Sequence, residues 1–328
     1  MRYYCTLFDS NYLTRGLAMY RSLLAHDPEF HLYIFAFDDK ALEVLLGEKL
    51  THVTVVSLRE FEDEQLLAIK QSRSRAEYCW TCTSSIILYC IEKYALNHCT
   101  YLDADLWFFG SPEPLFRELG SRSILLTEHR YSPVYARDIK NGKFCVQFVT
   151  FKNDERGMAA LKWWREQCLA WCYARHEDGK FGDQGYLTDW ESRFPGVHSL
   201  QHLGGGVAAW NVQQYKFTLE DKKVFGMEIE TRRDFELIFY HFHYLRFISN
   251  GTIELGRRVL SASVLDKIYR PYVRELESIK TEISAKYPGF DPHGTQRYRL
   301  TWKTPILYCY RKLKGVYNLF PLMDFLKG

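Results

Sequence analysis

The first 150 residues switch repeatedly between two hydrophobic periods, and that alternation restricts the chain to few architectures. Short apolar runs at Arg2–Phe8, 31–37, Val53–Ser57, 99–102, 123–127 and 145–151 read as strands. Between them apolar residues recur at helical spacing, as in Leu13, Leu17, Tyr20 and Leu24, and helix patterns follow at 41–46 and 83–96. Strands separated by helices predict an α/β fold with a mostly parallel, covered sheet, because a parallel pair needs a crossover that lays a helix on one face. A helix bearing Trp163, Trp164 and Trp171 is expected over 157–175, and a strand over 235–247. Beyond 250 the pattern turns helical and charged. The expected division is a catalytic domain over 1–250 and a helical, basic and aromatic extension over 251–328. The chain has 328 residues, 47% of them hydrophobic, which excludes disorder as the dominant state.

The same sequence argues against several function classes. No apolar run approaches the ~18 residues that span a bilayer. Residues 1–10 read as a strand and carry no signal-peptide pattern, so the expected location is cytoplasmic. The nine cysteines, an odd number, then read as reduced thiols. Cys79 and Cys82 form a lone CxxC without a second pair, which argues against zinc. Cys168, Cys172 and His176 fall at helical spacing and read as an apolar face with a surface histidine. Gly204-Gly-Gly206 reads as a flexible loop, since it has neither the dinucleotide nor the P-loop spacing.

Charge is concentrated at one end. Residues 297–328 hold seven Lys/Arg against Asp324 alone, while residues 1–296 hold 36 basic and 39 acidic residues. Trp302, Tyr308, Tyr310, Tyr317 and Phe320 lie in the same stretch. A basic, aromatic terminus suits an anionic membrane surface, reached peripherally on its cytoplasmic face. A packed helix with solvated lysines is the competing reading. No nucleic-acid motif accompanies the charge, so no nucleic-acid partner is expected.

The sharpest chemical signal is Tyr101-Leu102-Asp103-Ala104-Asp105-Leu106-Trp107. An apolar strand runs into two carboxylates two residues apart, at the strand end where open α/β sheets bind ligands. Two hard oxygen donors suit Mn²⁺ or Mg²⁺, which in turn bind phosphate oxygens. In Phe239-Tyr240-His241-Phe242-His243 a strand would point both histidines to one side. One imidazole would complete a metal site with Asp103 and Asp105. Gly182-Asp183-Gln184-Gly185 marks a loop-to-helix boundary, where an acid and an amide bind sugar hydroxyls or cap the helix.

Taken in order, these motifs resemble the nucleotide-sugar glycosyltransferases of the GT-A fold, closest to glycosyltransferase family 8, over about residues 2–247. Cys5-Thr6-Leu7-Phe8-Asp9 with Arg15-Gly16 is similar to that family's first strand and helix. The resemblance implies a Rossmann-like mixed sheet flanked by helices. It also implies a divalent ion, Mn²⁺ or Mg²⁺, held by Asp103, Asp105 and His241. Thr6, Leu7, Asp9, Ala104, Trp210 and Asn211 are implied at the nucleotide-sugar, and Asp183 and Gln184 at the transferring sugar. The implied reaction is hexosyl transfer from a UDP-sugar to a glycan or lipid-linked acceptor, with retention of configuration. The chain departs from the family pattern in places. Gly185 replaces the second acid of an Asp-Gln-Asp motif, and Cys145-Val146-Gln147 replaces an Asn-x-Gly. His243 and Tyr244 follow the His-Phe pair. A phosphate-binding lysine falls at Ser84, which leaves Arg73 or Arg75 as its substitute.

Three alternatives use the same residues. A sugar nucleotidyltransferase also binds metal through acids, but it needs a glycine-rich basic N-terminal loop that Phe8-Asp9-Ser10-Asn11 does not provide. A catalytically silent nucleotide-sugar or glycan-binding relative predicts binding without turnover. A membrane-surface scaffold leaves the acidic motifs unexplained.

Overall fold

The computed structural model describes residues 1–298, 302 and 304–327. Arg299 and Lys303 of the basic tail lie outside the described residues. The chain divides into two compact units that interleave in sequence. Met1–Asp9, Asp27–Ala104 and Pro112–Gly206 form the first; Ser10–His26, Asp105–Ser111 and Val207–Gly328 form the second. These limits differ from the expected boundary at 250, and packing gives the reason. Helix Leu13–His26 lies against helix Arg270–Lys286 within the second unit, where Arg21 pairs with Glu275 at 3.2 Å. Local periodicity cannot report such a long-range contact.

The first unit is built on a seven-stranded sheet. Its order is Val53–Ser57, Phe30–Ala36, Arg2–Phe8, His98–Leu102, Phe144–Lys152, Ile124–Glu128 and Val197–Ser199. The first four strands are parallel; Phe144–Lys152 runs antiparallel to both of its neighbours, so the sheet is mixed. The chain moves outward from Arg2–Phe8 through two strands, then returns to its other side with His98–Leu102. The two strands therefore border a topological switch point, and their carboxyl ends open on the same edge.

Capping fixes the helices that cover one face. Ser74 accepts from Glu77 N–H while the Glu77 side chain accepts from Ser74 N–H, and this capping box starts helix Arg75–Lys93 eight residues before the expected position. Asp154 caps helix Glu155–Ala170 through the Gly157 N–H at 2.8 Å. That helix stops at Ala170 because Trp171 is extended, so Cys172 and His176 are not on it, contrary to the expected helix over 157–175. Both helices press Ile86, Ile87, Leu161 and Trp164 against Cys5, Leu7, Tyr101 and Phe151 of the sheet. On the other face Phe116 of helix Glu113–Leu119 meets Tyr4 and Phe148 edge-on. The Gly204–Gly206 segment is buried and close-packed rather than flexible. Gly206 has φ of 86°, and a Cβ there would stand 2.5 Å from Thr127 Cγ2.

Among its described residues the second unit holds three small sheets. The expected strand over 235–247 is three separate pieces, Asp234–Glu236, Phe239–His241 and Arg246–Ile248, each in a different sheet. Tyr244 turns the chain at φ of 74°. His241 is thus the last residue of its strand and His243 lies beyond it, so a shared strand face does not relate them. The tail also splits. Leu319–Pro321 pairs with Thr252–Glu254 and Phe325 is buried, so the final segment is packed. Helix Thr304–Leu313 has no buried residue, and Trp302 and Leu313 are 77% and 88% exposed. No helix among the described residues is long and apolar enough to cross a membrane.

Candidate active site

In the first unit the carboxyl edge of the sheet gathers most of the expected residues. Asp103 follows strand His98–Leu102 and extends its ladder by one bond, from Asp103 N–H to the Gln147 carbonyl at 3.0 Å. Side chains alternate along a strand, so Tyr101 and Asp103 share a face, and the Tyr101 hydroxyl donates to Asp103 Oδ1 at 2.9 Å. Tyr101 was not singled out from the sequence, although its two-residue spacing from Asp103 carried the signal. Burial and the nearby Asp103 and Asp183 charges push its phenol well above the usual range, so it stays a donor.

Asp183 precedes the short turn of helix Gln184–Leu187 without capping it through its side chain. Its main-chain oxygen accepts from the Trp164 indole at 3.0 Å, which fixes the segment on the helical layer. Burial, and after it the charge of Asp103, push the Asp183 carboxyl up to about 7, against opposing hydrogen bonds from Thr83 and the backbone. Gln184 Nε2 donates to the Asn141 carbonyl at 2.6 Å. Gly182, at φ of 52°, lies over Trp80, and a Cβ there would touch the ring at 3.4 Å.

Thr6 and Leu7 immediately precede Phe8, where the first strand ends, and the buried Thr6 Oγ1 has no hydrogen-bond partner. Arg75 Nε lies 2.5 Å from Asp9 and its Nη2 2.7 Å from Asp38. Asp38 also caps helix Asp39–Glu48. Arg75 is therefore a cation already shared between two carboxylates. Arg73 is held elsewhere, over the Tyr173 ring at 3.9 Å, and Ser84 is fully buried.

The second unit holds the other half of the D-x-D. Asp105 opens a turn into strand Leu106–Phe108, which pairs antiparallel with Phe239–His241. This pairing brings His241 Nε2 to 3.0 Å from Asp105 Oδ1, both buried. Burial alone would raise the Asp105 carboxyl; the charge and hydrogen bond of His241, then His243 and Arg15, outweigh it and hold the carboxyl below the usual range. Strand Val207–Ala208 runs parallel on the other side of Phe239–His241 and delivers Trp210, whose ring meets His241 edge-on at 5.3 Å. Asn211 Oδ1 accepts from Ala208 N–H at 2.9 Å and so closes the turn that carries Trp210. His243, by contrast, is exposed, and its ring stands 5.9 Å from that of Trp210. Chemically, the two units offer a carboxylate with a phenol donor, a carboxyl poised near neutrality, and a carboxylate–imidazole pair.

No protein-family model matches the chain. Two uncharacterized proteins of Bacillus subtilis strain 168 are similar to it. YfnD is 31% identical over 294 residues, 88% of this chain and 93% of YfnD. YfnF is 32% identical over 260 residues, 76% of this chain and 84% of YfnF. Among solved structures the chain is similar to galactosyltransferase LgtC in complex with donor and acceptor sugar analogs, with 14% identity, 60% of this chain and 72% of LgtC covered, and a TM-score of 0.41.

Proposed function

We propose that this chain, which belongs to one family with YfnD and YfnF of Bacillus subtilis, is a GT-A glycosyltransferase that moves a hexose from a UDP-sugar to a glycan or lipid-linked acceptor with retention. One observation carries the reading. Strand His98–Leu102 delivers Asp103 to the carboxyl edge of the sheet beside the strand ending at Phe8, at the switch point where such sheets bind nucleotides. The ordered set of Asp103-Ala104-Asp105, Asp183-Gln184, Trp210-Asn211 and His241-Phe242 supplies the chemistry.

The donor set fits a divalent ion: two carboxylates two residues apart in the chain, and an imidazole already 3.0 Å from one of them. Asp103, Asp105 and His241 would hold Mn²⁺ or Mg²⁺, which supplies Lewis-acid stabilisation of a departing diphosphate. Thr6, Leu7 and Asp9 would meet the base and ribose, with the unpartnered Thr6 hydroxyl as donor or acceptor. Arg75 would orient Asp9 and face phosphate as a partly neutralised cation. Asp183 would bind a sugar hydroxyl, donating when protonated and accepting when ionised. Gln184 would stabilise the oxocarbenium-like sugar electrostatically. The catalytic region would span 1–250. Helix Thr304–Leu313, in the extension over 251–328, would rest peripherally on an anionic membrane surface.

The test is a thermal-shift panel of UDP, GDP, CMP, dTDP and ADP with and without Mn²⁺, followed by UDP-sugar turnover. A Mn²⁺-dependent rise with UDP and release of UDP from a UDP-sugar are expected. No shift with any nucleotide overturns the reading. A UDP shift without turnover for any UDP-hexose leaves a silent sugar-nucleotide-binding relative instead.

A further inference from the structure

The ligands proposed above are oxygen and nitrogen donors. A softer donor stands beside one of them within the first unit. Cys145 lies near the start of strand Phe144–Lys152, two residues before Gln147, whose carbonyl receives the Asp103 N–H. Side chains alternate along a strand, so Cys145 and Gln147 share one face. Residues paired across the ladder share a face as well, and Asp103 continues the pairing of Leu102 with Phe148. Cys145, Gln147, Tyr101 and Asp103 are therefore turned to the same side of the sheet.

The distances agree with that register. A carboxylate oxygen of Asp103 and Cys145 Sγ lie within 4.8 Å of each other. Donors on one tetrahedral ion, at about 2.1 Å for oxygen and about 2.3 Å for sulfur, stand about 3.6 Å apart. A side-chain adjustment of about 1 Å closes the difference. Cys145 is only 5% exposed, and Asp103 is already oriented by Tyr101.

We propose that Cys145 is a direct ligand of the divalent ion held at Asp103, and that it turns this site from Mg²⁺ toward thiophilic ions, in the order Zn²⁺, Cd²⁺ and Co²⁺ before Mn²⁺ and Mn²⁺ before Mg²⁺. Soft thiolate favours these ions, whereas carboxylate and water suit Mg²⁺. On binding, a metal–sulfur bond forms as the thiol proton leaves to solvent, and no oxidation state changes. The inference rests on the metal reading of Asp103, and the following experiment separates the two.

The full-length reduced protein is titrated with Co²⁺ in the absence of nucleotide and followed by absorption. Visible d–d bands together with a near-ultraviolet sulfur-to-cobalt charge-transfer band are expected. Cys145→Ser should keep the d–d bands, lose the charge-transfer band and weaken Cd²⁺ binding by at least about tenfold. Cys145→Asp should restore affinity with a shift toward Mg²⁺. Cys90→Ser is the control, because Cys5, Cys90 and Cys99 bring three buried sulfurs within 4.8 Å of one another elsewhere in the same unit. A charge-transfer band that survives Cys145→Ser and disappears in Cys90→Ser overturns the assignment. So do d–d bands with no charge-transfer band in the wild type, which leave the metal reading standing. No Co²⁺ binding at all overturns both.

Discussion

Asp183 in the first unit and Asp105 in the second are both buried carboxylates, and their surroundings drive them in opposite directions. Burial is the largest influence on each and raises both. At Asp183 the next influence is another acid, Asp103, so the carboxyl reaches about 7. At Asp105 it is a histidine at 3.0 Å, backed by His243 and Arg15, so the carboxyl stays below its usual value. Burial sets the size of what is at stake, and the sign of the nearest charge sets the outcome. The same contrast separates roles in the proposed chemistry. Asp105 is suited to remain an anion and hold a cation, while Asp183 is suited to exchange a proton near neutral pH.

The largest effect expected from breaking this contrast is at Asp105. Asp105→Ala leaves His241 buried without its partner, which costs about 3 kcal/mol when a buried pair is broken from one side. It also removes a proposed cation ligand, so turnover should fall by at least about 10²-fold. Thermal melts and UDP-sugar turnover check both. A variant that melts with the wild type would mean the pair stabilises nothing. In the wild type, stability contributed by Asp105 is present above about pH 3.8, its unfolded value, and is lost as pH falls below it.

Asp183→Asn should do the reverse. The folded chain holds the Asp183 proton up to about pH 7, and the unfolded chain releases it near 3.8. Wild-type stability from this group is therefore full below about 3.8 and is lost as pH rises through about 7. Asp183→Asn keeps the shape and removes the ionisation. It should be about as stable as the wild type at pH 4 and more stable at pH 8, by about 4 kcal/mol for a carboxyl raised from 3.8 to about 7. Turnover should fall even as stability rises. A lower melting temperature than wild type at pH 8 would show that Asp183 is ionised and well solvated there.

The sequence was most legible where burial is uniform along a local element. Six strands of the large sheet stand out as apolar runs ending at polar breakers, within a residue or so of their observed limits. The seventh, Val197–Ser199, has three residues and no alternation to recognise. The apolar run from Phe235 to Phe247 misleads for the opposite reason: its apolar residues are buried, but its strands belong to three sheets rather than one, and a turn at Tyr244 leaves no hydrophobicity signal. Ser74 and Glu77 carried a readable capping box that places the start of helix Arg75–Lys93, which the apolar pattern alone set too late. The acids and His241 were legible as motifs. The proton at Asp183 was not, because it depends on Asp103, eighty residues earlier in the chain, and on a burial that only the fold supplies.

The smallest effect is also the most specific, because it asks whether Asp103 and Asp183 feel each other. Tyr101→Phe removes the hydroxyl that donates to Asp103 at 2.9 Å, a hydrogen bond to a charged group worth about 1.5 kcal/mol. Without it the Asp103 charge is less well stabilised, and its field at Asp183 is less screened. Tyr101→Phe should therefore lower stability more at pH 8, where Asp183 is ionised, than at pH 5, where it is neutral. Asp183→Asn should abolish that pH dependence. A double-mutant cycle across the two positions should give a coupling of about 0.5–1 kcal/mol at pH 8 and none at pH 5. Coupling that is equal at both pH values would mean that Tyr101 and Asp183 communicate through packing. The contrast between the two buried carboxylates would then rest on burial at Asp183, with Asp103 a bystander.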